Sequence, residues 1–246
     1  MTSTHKVALV TGSATGAGKA IAIRFAKMGL AVAVNYSRSV KEAEETLAEV
    51  KSHGVPAILC QANVGDDAAV RAMVGRCREE LGGLDALVNN AGTTHFIDHK
   101  NLDAVTDAVW ADILDVNLKG PFYCCRAALP LLSERGGSIV NVTSVAGLQG
   151  HGSSIPYAAS KAALNCMTKS LARAFAPKVR VNAVAPGPIL TRWLKGHEDA
   201  VEASVKITPL KRAATPDDVA DVVVFLALGT TLMTGQVLIV DGGRTM

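Results

Sequence analysis

Aromatic side chains make up only 4% of the 246 residues, so this chain cannot fill its interior with rings. Its core has to come from Ala, Val, Leu and Ile, which suits helices packed closely on a sheet. An excess of one charge is also missing. The 25 Lys and Arg stand against 22 Asp and Glu, for a net +3. No basic run occurs and no basic stripe is interleaved with aromatics, which argues against a nucleic-acid partner. The longest apolar stretch, Val222 to Leu228, is far shorter than the ~20 residues a membrane helix needs. The start, Met1 to Lys6, is polar and has neither the apolar core nor the cleavage site of a signal peptide. A soluble, cytoplasmic protein with no membrane partner is expected. CxxC spacing is absent too. Cys60, Cys77, Cys124, Cys125 and Cys166 read as buried thiols in a reducing compartment, without disulfides. His95, His99, His151 and His197 lack ligand spacing with carboxylates, so no metal is expected.

Hydrophobic residues at 49% against 19% charged allow a sizeable core, and neither a repeat nor a linker divides the chain. One domain over residues 1–246 is the reading. Strand-like runs alternate with helical segments throughout. Strands are expected at Val7–Val10, Ala31–Tyr36, Pro56–Asn63, Leu84–Asn89, Ser138–Ser144, Val179–Ala185 and Gln236–Val240. Helical spacing covers Gly16–Met28, Val40–His53, Asp67–Leu81, Pro156–Phe175 and Pro216–Leu228, with a longer region from Ala104 to Leu132 broken or bent around Asn117–Pro121. The strands are continuous apolar runs, as a sheet buried on both faces requires. Alternation with short connections predicts an α/β fold with a doubly wound parallel sheet. Thr191–Thr215 breaks the rhythm. It mixes Trp193 and Leu194 with charges just beyond a strand's carboxyl end, where a segment can cover a ligand.

Thr11-Gly12-Ser13-Ala14-Thr15-Gly16-Ala17-Gly18 follows the first strand and opens the first helix. Helix N-terminal amides point at such a loop and glycine lets a phosphate approach closely. Lys19 lacks the following Ser/Thr and the spacing of a P-loop, which disfavours a nucleotide triphosphatase. Joined to Asn89-Asn90-Ala91-Gly92, Ser144 and Tyr157-Ala158-Ala159-Ser160-Lys161, the loop makes a specific constellation. With it the chain resembles the short-chain dehydrogenase/reductase family from Lys6 to the Val240-Asp241-Gly242-Gly243 tail, and its overall run resembles the 3-oxoacyl-carrier-protein reductase branch.

The resemblance implies a single-domain Rossmann fold with a seven-stranded sheet, assembled as a homotetramer or dimer. It implies that Gly12, Gly16 and Gly18 line a dinucleotide pyrophosphate, with Ser13, Thr15 and Ala17 in the same loop. It further implies that Asn89 and Ala91 sit beside the adenosine ribose and help stabilise the central sheet, that Pro186, Gly187 and Thr191 meet the nicotinamide carboxamide and its phosphate, and that Asn90, Gly92 and Ile189 also contact the cofactor. Ser144, Tyr157, Lys161 and Asn117 match the family's catalytic tetrad. In that match Ser144 holds the substrate oxygen and Tyr157 moves the proton. Lys161 binds the nicotinamide ribose, and Asn117 carries a water that links the lysine to solvent. Where the family has an Asp-Val pair after the third strand, this chain has Asn63-Val64, whose amide oxygen can still accept from the adenine amino group.

Tyr157 and Lys161 are four residues apart on a helix and share one face. A free tyrosine, with a pKa of about 10, is a poor base at neutral pH, and a nearby cation is expected to lower it. The end of the second strand reads Asn35-Tyr36-Ser37-Arg38-Ser39, without the carboxylate that binds the ribose hydroxyls of NAD. Arg38 with Ser37 and Ser39 suits a 2′-phosphate, so NADP(H) rather than NAD(H) is the expected cofactor. Thr15 stands where an extra basic residue is usual. The substrate is a small molecule or an acyl thioester. Pocket candidates are His95, Phe96, Val145, His151, Pro188, Ile189 and Trp193, and Arg135 and Lys178 are candidate contacts for an acidic carrier protein. The expected reaction reduces a 3-oxoacyl thioester or related ketone. Oxidation of an alcohol, polyol or sugar is the alternative, and a catalytically silent NADP sensor is a remote one, since both Tyr157 and Lys161 are present.

Overall fold

Residues of alternate parity along the buried strands serve two different cores. The structure, a computed structural model, describes residues 5–246; the polar start read over Met1–Thr4 lies outside the described residues. The chain runs β1 (Val7–Val10), α1 (Gly16–Lys27), β2 (Ala31–Tyr36), α2 (Val40–Ser52), β3 (Ala57–Gln61), α3 (Asp67–Leu81) and β4 (Ala86–Asn89). It continues through α4 (Asp107–Leu114), α5 (Gly120–Arg135), β5 (Ser138–Val142), α6 (Ala146–Gln149), α7 (Ile155–Phe175) and β6 (Arg180–Pro186), then α8 (Glu198–Ile207), α9 (Pro216–Val224) and β7 (Val237–Val240). All seven strands pair in parallel in the order β3-β2-β1-β4-β5-β6-β7. Side chains alternate across a strand. Val7, Leu9, Ala31 and Ala33 therefore pack on one face with α3 and α5, through Met73, Cys77, Leu131 and Leu132. Ala8, Val10, Val32 and Val34 pack on the other with α1 and α9, through Ile21, Phe25 and Val223.

Three departures from the sequence reading have local causes. The region read as one broken helix begins at Asp107, where Thr106 Oγ1 accepts from the Val109 N–H at 3.4 Å. It then passes unbroken through a π-helical turn, Asp115–Lys119, into α5. Pro121 has no N–H to give the carbonyl of Asn117 four residues back, and the wider turn absorbs that mismatch. β5 stops at Val142 rather than Ser144, and a short helix, α6, follows. The irregular stretch after β6 contains α8. The cysteines separate as well: Cys60, Cys77, Cys124 and Cys125 are buried, while Cys166 is exposed.

The strand starts are tied by Asp85. Its Oδ2 accepts from the Val7 N–H at 2.8 Å and from Arg135 Nη1 at 2.9 Å, and its carbonyl accepts from the Ser138 N–H at 2.9 Å. Arg135 also donates to the Gly82 carbonyl at 2.5 Å. Arg135 and Lys178 thus lie where β5 and β6 begin, at the opposite end of the sheet from the strands' carboxyl ends.

Arg180, half-buried at the start of β6, closes the π-helical turn Phe225–Gly229 that continues α9. Its guanidinium donates to the Leu226 carbonyl at 2.8 Å and the Ala227 carbonyl at 2.7 Å. A helix end leaves carbonyls without partners, and a cation there meets both the hydrogen-bonding need and the helix dipole. Each charged hydrogen bond contributes about 1.5–3 kcal/mol. Arg180→Met is therefore expected to lower the Tm by several degrees in a thermal melt; an unchanged Tm would show the cap to be dispensable.

Candidate active site

The site forms where the chain reverses direction across the sheet. β1 lies between β2 and β4, so the helices that follow β1 and β4 leave on opposite faces and open a crevice beyond the strand ends. The crevice is a cavity of about 1030 Å³. Its floor is a close contact between two turns. Thr11 Oγ1 accepts from the Asn90 and Ala91 N–H groups, both at 3.0 Å, and Asn90 Nδ2 donates to the Thr11 carbonyl at 2.9 Å. A Cβ on Gly12 would lie 2.8 Å from Ala91 Cα, and one on Gly18 would lie 2.4 Å from the Gly12 carbonyl oxygen. Gly12 also has a φ of +61°. No other residue fits at either place.

Gly12, Thr15, Gly16, Ala17 and Gly18 line the cavity. Ser13 does not fit its reading as a cofactor contact. It is fully buried beneath the loop, donating to the Val10 carbonyl at 2.7 Å and accepting from the Asn35 N–H at 3.0 Å. Asn35 is the residue that the motif reading missed. Its Oδ1 accepts from the Gly12 N–H at 2.9 Å and its Nδ2 donates to the Cys60 and Ala62 carbonyls at 3.1 Å, so one buried amide holds the loop against β2 and β3. The N-terminus of α1 carries no side-chain cap and no acid in its first turn. Its free amides and partial positive charge fit a phosphate.

Tyr36, Ser37, Arg38, Ser39, Asn63 and Val64 line one end of the cavity. Arg38 is exposed and forms no ion pair among the described residues. Asn63 Oδ1 accepts from the Gly65 N–H at 3.1 Å. Arg192, from the stretch after β6, reaches across to Glu42 at 2.7 Å and Ser39 Oγ at 2.8 Å. Nothing in the spacing of the sequence points to that bridge. At the other end Asn90, Ala91 and Gly92 face Ser144, Tyr157 and Lys161, with Pro186, Gly187, Ile189 and Thr191 beside them. Of the pocket candidates Phe96, Val145, His151, Pro188, Ile189 and Trp193 line the cavity, whereas His95 stands behind the wall, bonded to the lining residue Asp112 at 2.8 Å. Phe96 stacks on His197 with ring centroids 3.7 Å apart, and Trp193 tilts over Tyr157 at 6.3 Å.

Ser154 caps α7 by accepting from the Tyr157 N–H at 3.4 Å, and Pro156 pre-sets the first turn. That start points Tyr157 into the cleft and Lys161 beneath it. Lys161 Nζ donates to the Val142 carbonyl at 3.0 Å and lies 5.7 Å from the centre of the Tyr157 ring. Asn117, buried in the π turn, accepts from the Thr93 N–H at 2.8 Å and donates to Ser160 Oγ at 3.1 Å. It backs the site rather than facing the cavity. Burial raises the Tyr157 phenol above its ordinary pKa, and the hydrogen bond with Ser144 opposes this only in part. Burial also lowers the Lys161 ammonium to about 8. The expected depression of the tyrosine by the lysine is therefore reversed, because loss of solvent outweighs a cation that is engaged elsewhere.

Lys161 sets a pH-dependent cost on the cofactor-free fold. Unfolded, the amine titrates near 10.5 and folded near 8, so below pH 8 it is charged in both states and the cost, roughly 3 kcal/mol, is fully present. Between pH 8 and 10.5 the folded form loses its proton first and the cost fades. Lys161→Met is expected to raise the Tm at pH 7 by several degrees, with the gain shrinking toward pH 10. A Tm that falls at pH 7 would contradict this account.

Residues 12–245 match the family model described as enoyl-(acyl carrier protein) reductase. A ketoacyl reductase assigned to the granaticin polyketide synthase of Streptomyces violaceoruber is 45% identical over 241 residues, covering 96% of this chain and 95% of its own. The 3-oxoacyl-[acyl-carrier-protein] reductase FabG of Staphylococcus aureus is 40% identical over 245 residues, 98% of each chain. A crystal structure assigned as a short-chain dehydrogenase/reductase from Burkholderia xenovorans superposes with a TM-score of 0.93 at 39% identity, again covering 98% of both chains. With the parallel sheet, the glycine turn and the Ser144, Tyr157 and Lys161 cluster, these likenesses place the chain in the short-chain dehydrogenase/reductase family, as an NAD(P)-dependent oxidoreductase acting on carbonyl or CH–OH groups.

Proposed function

We propose that this protein reduces a ketone, of the 3-oxoacyl-thioester type or a related one, with NADPH. The observation that carries the reading is the raised Tyr157 phenol paired with Ser144 at the wall of the cavity. Two hydroxyls side by side make a seat for a carbonyl oxygen rather than for a carbon–carbon double bond. A phenol held in its protonated form at neutral pH is an acid, which is what a developing alkoxide needs. The bound nicotinamide supplies the hydride. Ser144 holds the substrate oxygen by donating to it, and Tyr157 gives its proton to that oxygen as negative charge builds there. Lys161, still cationic at pH 7, stabilises the phenolate left behind. Asn117 holds the backbone after β4 through Thr93 and so keeps that wall in place. Oxidation of an alcohol would need Tyr157 as a base, which its raised pKa disfavours at neutral pH.

The NADPH reading rests on the adenosine end of the cavity. Asp112, near the substrate end, is the single carboxylate lining the cavity among the described residues, so none of them competes for the ribose hydroxyls there. Arg38, beside Ser37, has a free guanidinium for a 2′-phosphate. We also read the chain as a cytoplasmic homotetramer. Free thiols at all five cysteines fit a reducing compartment, and the edge strand β7 with its flanking turn exposes Ile239, Leu232 and Phe225, apolar surface that suits pairing with another copy.

Tyr157→Phe is expected to abolish ketone reduction while NADPH, followed by its fluorescence, still binds; retained turnover would refute the mechanism. Arg38→Ala is expected to lower kcat/KM for NADPH at least about 10-fold and to leave that for NADH nearly unchanged. A native enzyme that favours NADH would overturn the cofactor assignment. Light scattering after size exclusion measures the assembly, and a monomer would contradict it.

A further inference from the structure

A recess opens off the substrate end of the cleft, between the loop after β4, the turn after α6 and the last residues of the chain. Its walls come from Ile97, Asp98, His99, Gly150, His151, Gly152 and Arg244. His151, Gly152 and Arg244 also line the main cavity, so the two spaces adjoin. The recess lies beside the reacting centre, for a Cβ on Gly152 would be 3.4 Å from the Tyr157 ring.

The C-terminal turn that carries Arg244 is fastened. Both Asp241 carboxylate oxygens accept backbone N–H groups, from Gly243 at 2.8 Å and Thr245 at 2.9 Å. The Gly242 carbonyl accepts from the Leu210 N–H at 3.1 Å. Asp241 is thereby occupied by amides and does not neutralise Arg244. The guanidinium has no ion pair among the described residues, and its buried Nε has no hydrogen-bond partner. His99 Nε2, on the facing wall, is likewise buried without a partner. Among the described residues the one carboxylate of the recess, Asp98, accepts from the Lys100 N–H at 2.9 Å and is not paired with Arg244. Buried polar groups are nearly always matched, and the unmatched Arg244 Nε–H, with an unmatched ring nitrogen of His99 in the same recess, points to a missing acceptor. A planar guanidinium with imidazoles nearby matches an oxyanion.

We propose that Arg244 binds an anionic group, a carboxylate or a phosphate, carried by the ketone that this enzyme reduces. The inference rests on the ketone-reductase reading above and adds the charge of the substrate. Because the recess adjoins Tyr157, the anion sits within a few carbon atoms of the carbonyl, and Arg244 determines specificity through KM more than kcat.

The test compares NADPH oxidation with 4-oxopentanoate, its uncharged methyl ester and dihydroxyacetone phosphate, using the native enzyme, Arg244→Met and Arg244→Lys, each checked for folding by its thermal melt. The native enzyme is expected to favour one of the two anions over the ester in kcat/KM, and which one it favours identifies the group. Arg244→Met should reduce that preference by about 10–100-fold, chiefly through KM. Arg244→Lys, which keeps the charge but not the fork, should retain part of it. A native enzyme that prefers the ester, or an Arg244→Met variant with the native preference, would overturn the proposal and leave the reductase reading standing. If none of the three ketones is reduced, the reductase reading is what has failed for them, and calorimetric titration of 4-oxopentanoate and inorganic phosphate decides the role of Arg244. Heat lost in Arg244→Met would support it, and no heat with the native protein would refute it.

Discussion

The approach of the turn after β1 to the turn after β4 is the constraint on which the site depends. Thr11 receives two amides from the Asn90–Ala91 turn, and the space between Gly12 and Ala91 admits no side chain. With those turns in contact, α1 starts at the crevice with its amides uncapped, and the residues after β4 are drawn toward Lys161. A Cβ on Gly92 would stand 3.4 Å from Asn117 Oδ1 and 3.8 Å from Lys161 Nζ. The uncapped start of α1 and the Tyr157–Lys161 pair are thus positioned by one junction.

Burial governs the electrostatics of the reacting centre more than the pairing of charges does. Lys161 lies beneath the cleft with a backbone carbonyl as its hydrogen-bond partner, and the adjacent phenol is itself held away from solvent. Both groups are pushed toward their neutral forms. A protonated tyrosine and an ammonium that releases its proton near pH 8 make a site suited to delivering protons. The exposed ion pairs elsewhere, such as Arg71 with Asp67, contribute little by comparison.

What could be read from the sequence followed from fixed local periods. Four residues separate Tyr157 from Lys161, and a helix converts that spacing into a shared face whatever surrounds it. Continuous apolar strands implied a sheet covered on both faces, and the two cores bear this out. The remainder depends on tertiary placement, which spacing does not encode. Ser13 occupies a motif position yet turns inward, while Asn35, in no motif, holds the loop. Arg192 reaches Glu42 across 150 residues. The direction of the tyrosine shift was missed because the lysine's charge is visible in the sequence and its burial is not. The π turn at Asn117 was seen as a break because proline marks a missing donor without showing how the backbone accommodates it.

Asp85 and Arg135 fasten the sheet at the end where strands begin, and the residues that line the cavity lie at the end where strands finish. The two ends share a scaffold but few side chains. A substitution among the residues after β4, α6 or β6 alters the shape of a wall without loosening the knot at Asp85. Such a molecule can diversify: new substrates are admitted by rewriting loops, while the instructions for reaching the native state are kept in a different part of the chain.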